Sequence, residues 1–434
     1  MKLVLGIGIT GFSIARFLAK QKIAFKVADS RQQPSMFVEF SAEFPNSDIS
    51  LGAWDQSILE GIDEVFISPG IAQTQPIVVW AREKNIPVIS DIELFSRYVN
   101  APVVGITGTN GKSTVTQLLG EMALASGKNT AIGGNIGKPA LDCLDDNIEL
   151  YVLELSSYQL DYTKHLTLFT GVVLNISPDH LDRYDSFEDY TASKLSLYQY
   201  CQHLVINLDE PLIPKKASAT HFGMDMPKSN QDFGTVTCHG SCYFLKGDDV
   251  LMGVDEMQLI GEHNVANILA ALTLGDQIGL DMSAMTQCIK TFKGLEHRLE
   301  WVVHQQGIDF YNDSKSTNAL STVTALKALI TKHENIVLIA GGIAKDEDYN
   351  DLFKLIDQDI AGVVLIGQSA ADFERGISQA QVILADSMLE AVNLAKDMIN
   401  NGVVLLSPGC ASFDMFNNFE HRGQVFKQTV LNDC

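Results

Sequence analysis

An α/β fold divided among three domains is predicted by three features of the sequence. Short apolar, strand-like runs alternate with helical patterns nearly throughout, which calls for parallel sheets with helices on both faces. A length of 434 residues amounts to about three domains at roughly 150 residues each. Two glycine-rich loops stand directly between a strand and a helix, one at the start of the chain and one near residue 105.

The first block, 1–100, opens with the strand LVLGIG, a helix through Ala19 and the strand AFKVADS. The strands EVFISPG and PVIS follow, and the block closes near Val99-Asn100-Ala101-Pro102. The second block, 101–292, carries the strands PVVGIT, YVLELSS, TGVVLNIS and HLVINLD, a glycine-rich hairpin region around 221–255, and the helix of GEHNVANILAALTLG. The third, 293–434, follows Phe292-Lys293-Gly294 with the strands DFYNDS, NIVLIAGG, GVVLIG, QVILAD and VVLLSPG.

Composition narrows the function classes. Hydrophobic residues make up 46% and charged residues 19%, so there is ample core material and no compositional disorder. Lys plus Arg is 31 against 53 for Asp plus Glu, a net charge of −22. Such a chain is repelled by phosphate backbones and acidic headgroups, so nucleic acid and membrane insertion are not expected. A bound phosphate would need local cradles of backbone amides and a few placed cations. Seven cysteines, an odd number spread over the chain, make no disulfide framework. Cys238-His239-Gly240-Ser241-Cys242 has no second pair at ligand spacing and reads as a small hairpin rather than a zinc site. The apolar N-terminus lacks a basic leader, and no run of about 18 apolar residues is present to span a bilayer, so a cytoplasmic location is expected.

Gly6-Ile7-Gly8-Ile9-Thr10-Gly11 fits G-x-G-x-x-G after a strand and before a helix, and Asp29 ends the next strand. The glycines allow a tight turn and close backbone approach to a phosphate at a helix N-terminus, and the acidic residue would take ribose hydroxyls. Three readings stay open for this loop: a dinucleotide cofactor, a nucleotide-diphosphate substrate, or a turn needed only for packing.

Gly105 to Thr114 reads GITGTNGKST, between the strand PVVGIT and an amphipathic helix. Ile106 stands where a strict Walker A motif has its first glycine, but Gly111-Lys112-Ser113 is intact. In such a loop backbone amides wrap the phosphates, the lysine reaches the β/γ oxygens and the hydroxyl ligates Mg2+. The next strand ends on Glu154, a carboxylate placed to bind or orient Mg2+. The one after it ends in the polar cluster Asn175 to Arg183, at the sheet edge where ligands sit. The Asn-Lys-x-Asp guanine signature is absent.

GTNGKST, ELSSYQL, NISPDHLDRY, GEHNVANILAAL, EHRLE, NDSKSTN and SPGCASFDMFNNFEHRG follow one another in the order seen in Mur ligases. The resemblance runs from GIGITG near the start to NNFEHRG near the end, and ELSSYQL and SFDMFNNFEHRG are most similar to the member that adds D-glutamate. It implies a Rossmann-like N-terminal domain, a central P-loop mononucleotide-binding domain and a Rossmann-like C-terminal domain. It also implies an ATP-dependent amide ligase of peptidoglycan precursor synthesis, acting as a monomer. That ligase adds D-glutamate to UDP-N-acetylmuramoyl-L-alanine through an acyl phosphate, with ATP and two Mg2+. The rival readings are another Mur ligase, a folylpolyglutamate-synthetase-like ligase, and an NAD-dependent oxidoreductase, which would leave GTNGKST unexplained.

By matching motif, the resemblance implies that Thr10, Ser30 and Arg31 contact uridine diphosphate, with Gly70 and Asn135 reaching the pyrophosphate and sugar. Gly108, Thr109, Asn110, Gly111, Lys112, Ser113 and Thr114 would cradle ATP, and Asn264, Asn267, Arg298 and Asp313 would contact its adenosine and phosphates. Ser113 and Glu154 would bind one Mg2+, and His180 a second together with Lys194, carbamylated in this family. Lys112, Glu154, His180 and Lys194 form the implied catalytic set. Lys315, Thr317, Lys345, Ser412 and Phe419 match positions that hold the D-glutamate carboxylates.

Overall fold

The structure, a computed structural model, describes residues 1–179 and 183–432. The chain divides into two compact units, Met1–Glu256 with Val265–Lys290, and Met257–Asn264 with Thr291–Cys434.

The first unit contains two sheets. One has five parallel strands in the spatial order Ile49–Leu51, Phe25–Asp29, Lys2–Leu5, Glu64–Ile67 and Val88–Ile89. Alternate residues enter opposite cores. Val4 packs with Ile14, Phe40 and Phe95, whereas Leu3 and Leu5 pack with Val65, Ile77 and Val78. Burial on both faces is why the strand LVLG is apolar without alternation. Strand order reverses between Lys2–Leu5 and Glu64–Ile67, and the crevice at their C-terminal ends holds Gly6 to Gly11 and Ser68 to Gly70.

The other sheet runs Asp249–Gly253, Ser241–Lys246, Phe233–Cys238, Thr220–Phe222, Cys201–Asn207, Leu168–Val173, Val103–Thr107, Leu150–Glu154 and Thr130–Gly134. Pairing is parallel except at the first two junctions, which are antiparallel. His239 and Gly240, at φ 51° and 83°, make the tight turn between Phe233–Cys238 and Ser241–Lys246, so the Cys238 to Cys242 segment is a hairpin. One core extends from Val4 of the first sheet and Phe95 of the helix Asp91–Ser96 to Tyr151 and Leu168 of the second sheet. Polar ties join them as well: Gln159 Nε2 donates to Asp91 Oδ2 at 3.1 Å, and the Lys164 amide to Glu93 Oε2 at 2.6 Å.

The second unit is built on six strands, Glu300–Gln305, Ile308–Asn312, Gly402–Leu406, Ile336–Gly341, Gly362–Ile366 and Gln381–Ala385, parallel except for the first pair. Leu338, Leu365 and Leu405 face one core, and Ile339, Val364 and Leu406 the other. The antiparallel strand Glu300–Gln305 lies outside the strand set expected from the sequence. Its turn, Gln306 and Gly307 at φ 51° and 87°, was the available signal. Ile49–Leu51 and Thr130–Gly134 also lie outside that set. Both are sheet edges, one only three residues long and the other with two glycines, so neither carries a periodic pattern. Among the described residues no helix is long and apolar enough to cross a membrane.

Candidate active site

At the first loop each glycine has a separate task. Gly6 adopts φ 95°, and a Cβ on Gly11 would stand 1.8 Å from the Gly6 carbonyl, so both are required for the strand to turn into the helix Ile9–Lys20. A Cβ on Gly8, the N-cap, would meet nothing within 4 Å. Its bareness opens the helix N-terminus outward, as an anion cradle needs. Thr10 is half-buried in the first turn, and Ser30 and Arg31 are exposed.

Asp29 is the anchor of this cradle. Its carboxylate accepts from the Ile7 amide at 2.7 Å, from the Arg31 amide and Nε at 2.9 Å each, and from Arg31 Nη2 at 2.7 Å. Burial pulls its pKa upward, but the hydrogen bonds from Arg31 and Ile7 prevail and hold it below the ordinary aspartate value. A carboxylate has about four acceptor positions, and these are taken, so the ribose contact that the bare motif suggests for Asp29 is supplanted. Arg31 is held at the loop instead.

The second loop is organised by residues from other segments. Gly108 at φ 149° and Gly111 at φ 82° shape it, and Gly111 caps the helix Lys112–Ala125. The Thr109 amide donates to the Asn175 carbonyl at 2.9 Å, the Asn110 amide to Asn175 Oδ1 at 2.8 Å, and Asn175 Nδ2 back to the Asn110 carbonyl at 3.0 Å. Thr109 Oγ1 lies 3.0 Å from the Tyr190 hydroxyl. A Cβ on Gly111 would fall 2.3 Å from Asn267 Oδ1, so only glycine lets Asn267 approach this closely. The sequence marks Asn175 as the start of a polar strand-end cluster but not as the residue that holds this loop, and it does not single out Tyr190. Asn175 at a strand C-terminus was the legible clue, whereas Tyr190 carried no signal.

Two lysines meet at this loop. Lys112 Nζ donates to the carbonyls of Gly108 and Thr109, each at 2.9 Å, and Lys194 Nζ to Gly108 at 2.8 Å. Lys194 is 2% exposed on the helix Phe187–Leu195, its Nζ 4.6 Å from the centre of the Tyr190 ring. Burial first, and the Lys112 charge second, push its pKa down to about 7, against the partial support of Asp179, Glu154 and Asp161.

Glu154 ends the strand Leu150–Glu154 and is buried. Its Oε1 accepts from Asn135 Nδ2 at 2.7 Å, while Oε2 is buried without a hydrogen-bond partner among the described residues. An unpaired buried carboxylate oxygen costs about 1–3 kcal/mol or more, which a bound cation would offset. Ser113, in the first turn of the P-loop helix, is buried, and Thr114 is half-buried. No group of three or more His, Cys, Asp or Glu side chains among the described residues could hold a metal alone. A Mg2+ ion fits this donor set only if nucleotide phosphates complete its shell, the usual arrangement for that ion. His180 lies outside the described residues.

Asn264 opens the helix Glu262–Gln277, its Nδ2 donating to the Ile260 carbonyl at 2.7 Å. In the second unit Asp313 is buried and accepts from the Leu299 amide at 3.0 Å, Ser316 Oγ at 2.5 Å and Ser407 Oγ at 2.7 Å. Burial raises its pKa to about 6 in spite of those bonds and the nearby charge of Arg298. Lys315 Nζ lies 3.9 Å from the centre of the Phe419 ring. Arg422, fully buried, fixes the loops that carry Lys315 and Ser412. Its Nε and Nη2 donate to Ser314 Oγ and the Ser314 carbonyl at 2.9 and 2.8 Å, and Nη1 to the Cys410 carbonyl at 3.0 Å. The Ile343 and Ala411 amides exchange bonds with each other's carbonyls at 2.8 and 2.9 Å, tying the Lys345 loop to the same scaffold. Lys345 is exposed, Ser412 buried and Thr317 half-buried.

A glycine-rich Rossmann-type loop, a P-loop and a further α/β unit place the chain among three-domain α/β proteins built around a P-loop. Three family models match the chain: Mur ligase MurD-like N-terminal domain over residues 1–90, Mur ligase middle domain over 106–275, and Mur ligase glutamate ligase domain over 297–410. The chain belongs to the Mur ligase family. It is 41% identical to the UDP-N-acetylmuramoylalanine–D-glutamate ligase of Nitrosococcus oceani, across 98% of this chain and 95% of that one. It is 40% identical to the Pseudomonas aeruginosa enzyme of the same name, across 99% and 97%. Among solved structures, UDP-N-acetylmuramate-alanine ligase from Thermotoga maritima shares the fold, with a TM-score of 0.64 at 17% identity over 100% of this chain and 99% of that one. A pseudomurein peptide ligase type C from Methanothermus fervidus does so with a TM-score of 0.61 at 19% identity over the full length of both.

Proposed function

We propose that the chain joins the amine of D-glutamate to the L-alanine carboxylate of UDP-N-acetylmuramoyl-L-alanine, at the expense of ATP. The observation that carries this reading is 40–41% identity with D-glutamate ligases over nearly the whole of both chains. The reaction belongs to peptidoglycan precursor synthesis, in the cytoplasm, by a monomer.

A free carboxylate is a poor electrophile, so it must first be activated. A carboxylate oxygen attacks the γ-phosphorus of ATP, the bond to the bridging oxygen breaks, and an acyl phosphate and ADP result. The D-glutamate amine then attacks the acyl carbon. The tetrahedral intermediate expels phosphate, the nitrogen loses a proton, and the amide remains. Positioning and electrostatics supply most of the rate.

The residues divide these tasks. Thr10, Ser30, Arg31, Gly70 and Asn135 hold the uridine diphosphate and sugar. Lys112 exchanges the Gly108 and Thr109 carbonyls for the ATP phosphates and counters their charge. Asn264, Asn267, Arg298 and Asp313 hold the adenosine and phosphates, and Lys315, Thr317, Lys345, Ser412 and Phe419 hold D-glutamate. Ser113 and Glu154 are the donors for one Mg2+, and His180 with Lys194 for a second. Bound there, Mg2+ would spread the negative charge of the transferring phosphoryl group. Lys194 is suited to carbamylation because about half of its amine is neutral near pH 7. The neutral nitrogen adds to CO2, a proton leaves, and the cation becomes an anion.

Mass spectrometry of the product tests this reading. It predicts the mass of UDP-N-acetylmuramoyl-L-alanine plus glutamate less one water; an unchanged nucleotide sugar would overturn it.

A further inference from the structure

We propose that Arg183 is a positioning residue that sets the Pro69–Gly70 turn for the substrate's diphosphate, an inference that rests on the uridine-diphosphate reading of the first crevice. Arg183 Nη1 donates to the Gly70 carbonyl at 2.7 Å and Nη2 to the Pro69 carbonyl at 3.3 Å. The turn is closed by the Ile71 amide, which donates to the Ser68 carbonyl at 3.0 Å. A trans peptide is planar, with its carbonyl and amide pointing opposite ways. By holding the Pro69 carbonyl, Arg183 therefore aims the Gly70 N–H away from itself. A Cβ on Gly70 would meet nothing within 4 Å, so the turn borders open space. The guanidinium charge also polarises the Pro69–Gly70 peptide, which strengthens the Gly70 amide as a donor to an anion.

Arg183 is itself held in place. Its guanidinium carbon lies 4.7 Å from the centre of the Tyr158 ring, Tyr158 stacks on Tyr184 at 6.0 Å and 14°, and the Tyr184 hydroxyl donates to Asp161 Oδ2 at 2.9 Å. Two carbonyls, a ring face and a planar fork suit arginine better than lysine, which offers a single point charge. Arg183 also lines a cavity of about 270 Å³ with Ile71, Gln73 and Tyr158, so shortening it enlarges a space already open and does not remove core packing.

The test compares wild type with Arg183→Ala and Arg183→Lys, measuring steady-state constants for all three substrates and equilibrium binding of UDP and of uridine. For Arg183→Ala the expected result is a KM for the nucleotide sugar and a Kd for UDP raised about tenfold, one lost charge-assisted contact. The uridine Kd, the KM for ATP and kcat stay within about threefold, and Arg183→Lys recovers part of the UDP affinity. Unchanged UDP binding in Arg183→Ala, or an equal loss for UDP and uridine, would overturn the assignment. A wild-type protein that binds neither UDP nor the nucleotide sugar would instead overturn the reading of the crevice.

Discussion

Lys194 Nζ and Lys112 Nζ donate to the same carbonyl, that of Gly108, at 2.8 and 2.9 Å. Two ammonium groups this close repel, and burial adds to the penalty on the inner one. Lys194 gives way, its pKa falling to about 7. This pairing makes the P-loop and the helix Phe187–Leu195 parts of one electrostatic device.

The carbamylation proposed for Lys194 is testable. Lys194→Ala should lose on the order of a hundredfold or more in turnover and regain part of it with a short carboxylic acid. In wild type freed of CO2, recovery on adding bicarbonate should increase as pH rises through about 7, where the amine becomes neutral. Full activity of Lys194→Ala would remove the carbamate from the account.

Lys112→Ala should abolish ATP-dependent ligation while the fold persists. Asn175 and Tyr190 hold the loop from outside, and the Lys112 ammonium bonds to two loop carbonyls that water can satisfy in its place. Circular dichroism should be unchanged and phosphate release absent. Near-normal turnover would refute the phosphate role.

Glu154→Gln separates stability from function. The amide oxygen can still accept from Asn135, and the buried, unpaired anionic oxygen is gone. The melting temperature without nucleotide should hold or rise, while activity falls on the order of a hundredfold. A variant with wild-type rate and wild-type Mg2+ requirement would contradict the role of Glu154 as a metal donor.

Asp357 should contribute to the acid stability of the second unit. Burial pulls its pKa up, but the amides of Ala380, Gln379 and Ser378 and the Ser378 hydroxyl outweigh this and hold it down to about 2. A carboxylate whose pKa is depressed on folding stabilises above its unfolded pKa, about 3.9, and loses that contribution as pH falls toward 2. Asp357→Asn should therefore lower the melting temperature at pH 7, with the deficit shrinking between about pH 4 and 2. A deficit that does not vary with pH would show that packing, not charge, is responsible.

How much of this was legible in the sequence depends on where each side chain acts. Both glycine loops and Glu154 sit at ends of apolar strands, where local context is enough to pick them out. Lys194 was visible only through family resemblance, because its burial is created by the loop it packs against. Asn175 and Arg183 bound a polar cluster at a strand end that the sequence marks as a ligand edge, but their partners in the loops at 109–110 and 69–70 are not legible there. Tyr190 and Arg422 act on distant segments and leave no local pattern. The motif alone leaves open whether Asp29 meets a ribose, because its pairing with Arg31, which occupies those acceptor positions, is not visible in the pattern. The strand Thr130–Gly134 escaped notice because an edge strand with two glycines need not alternate.

Phosphate release with UDP-N-acetylmuramoyl-L-alanine and ATP, while the amino acid is varied, tests the central claim most directly. The account predicts steady release with D-glutamate, and background rates with L-glutamate, L-alanine or no amino acid. Release independent of the amino acid, or turnover with another in place of D-glutamate, would contradict it.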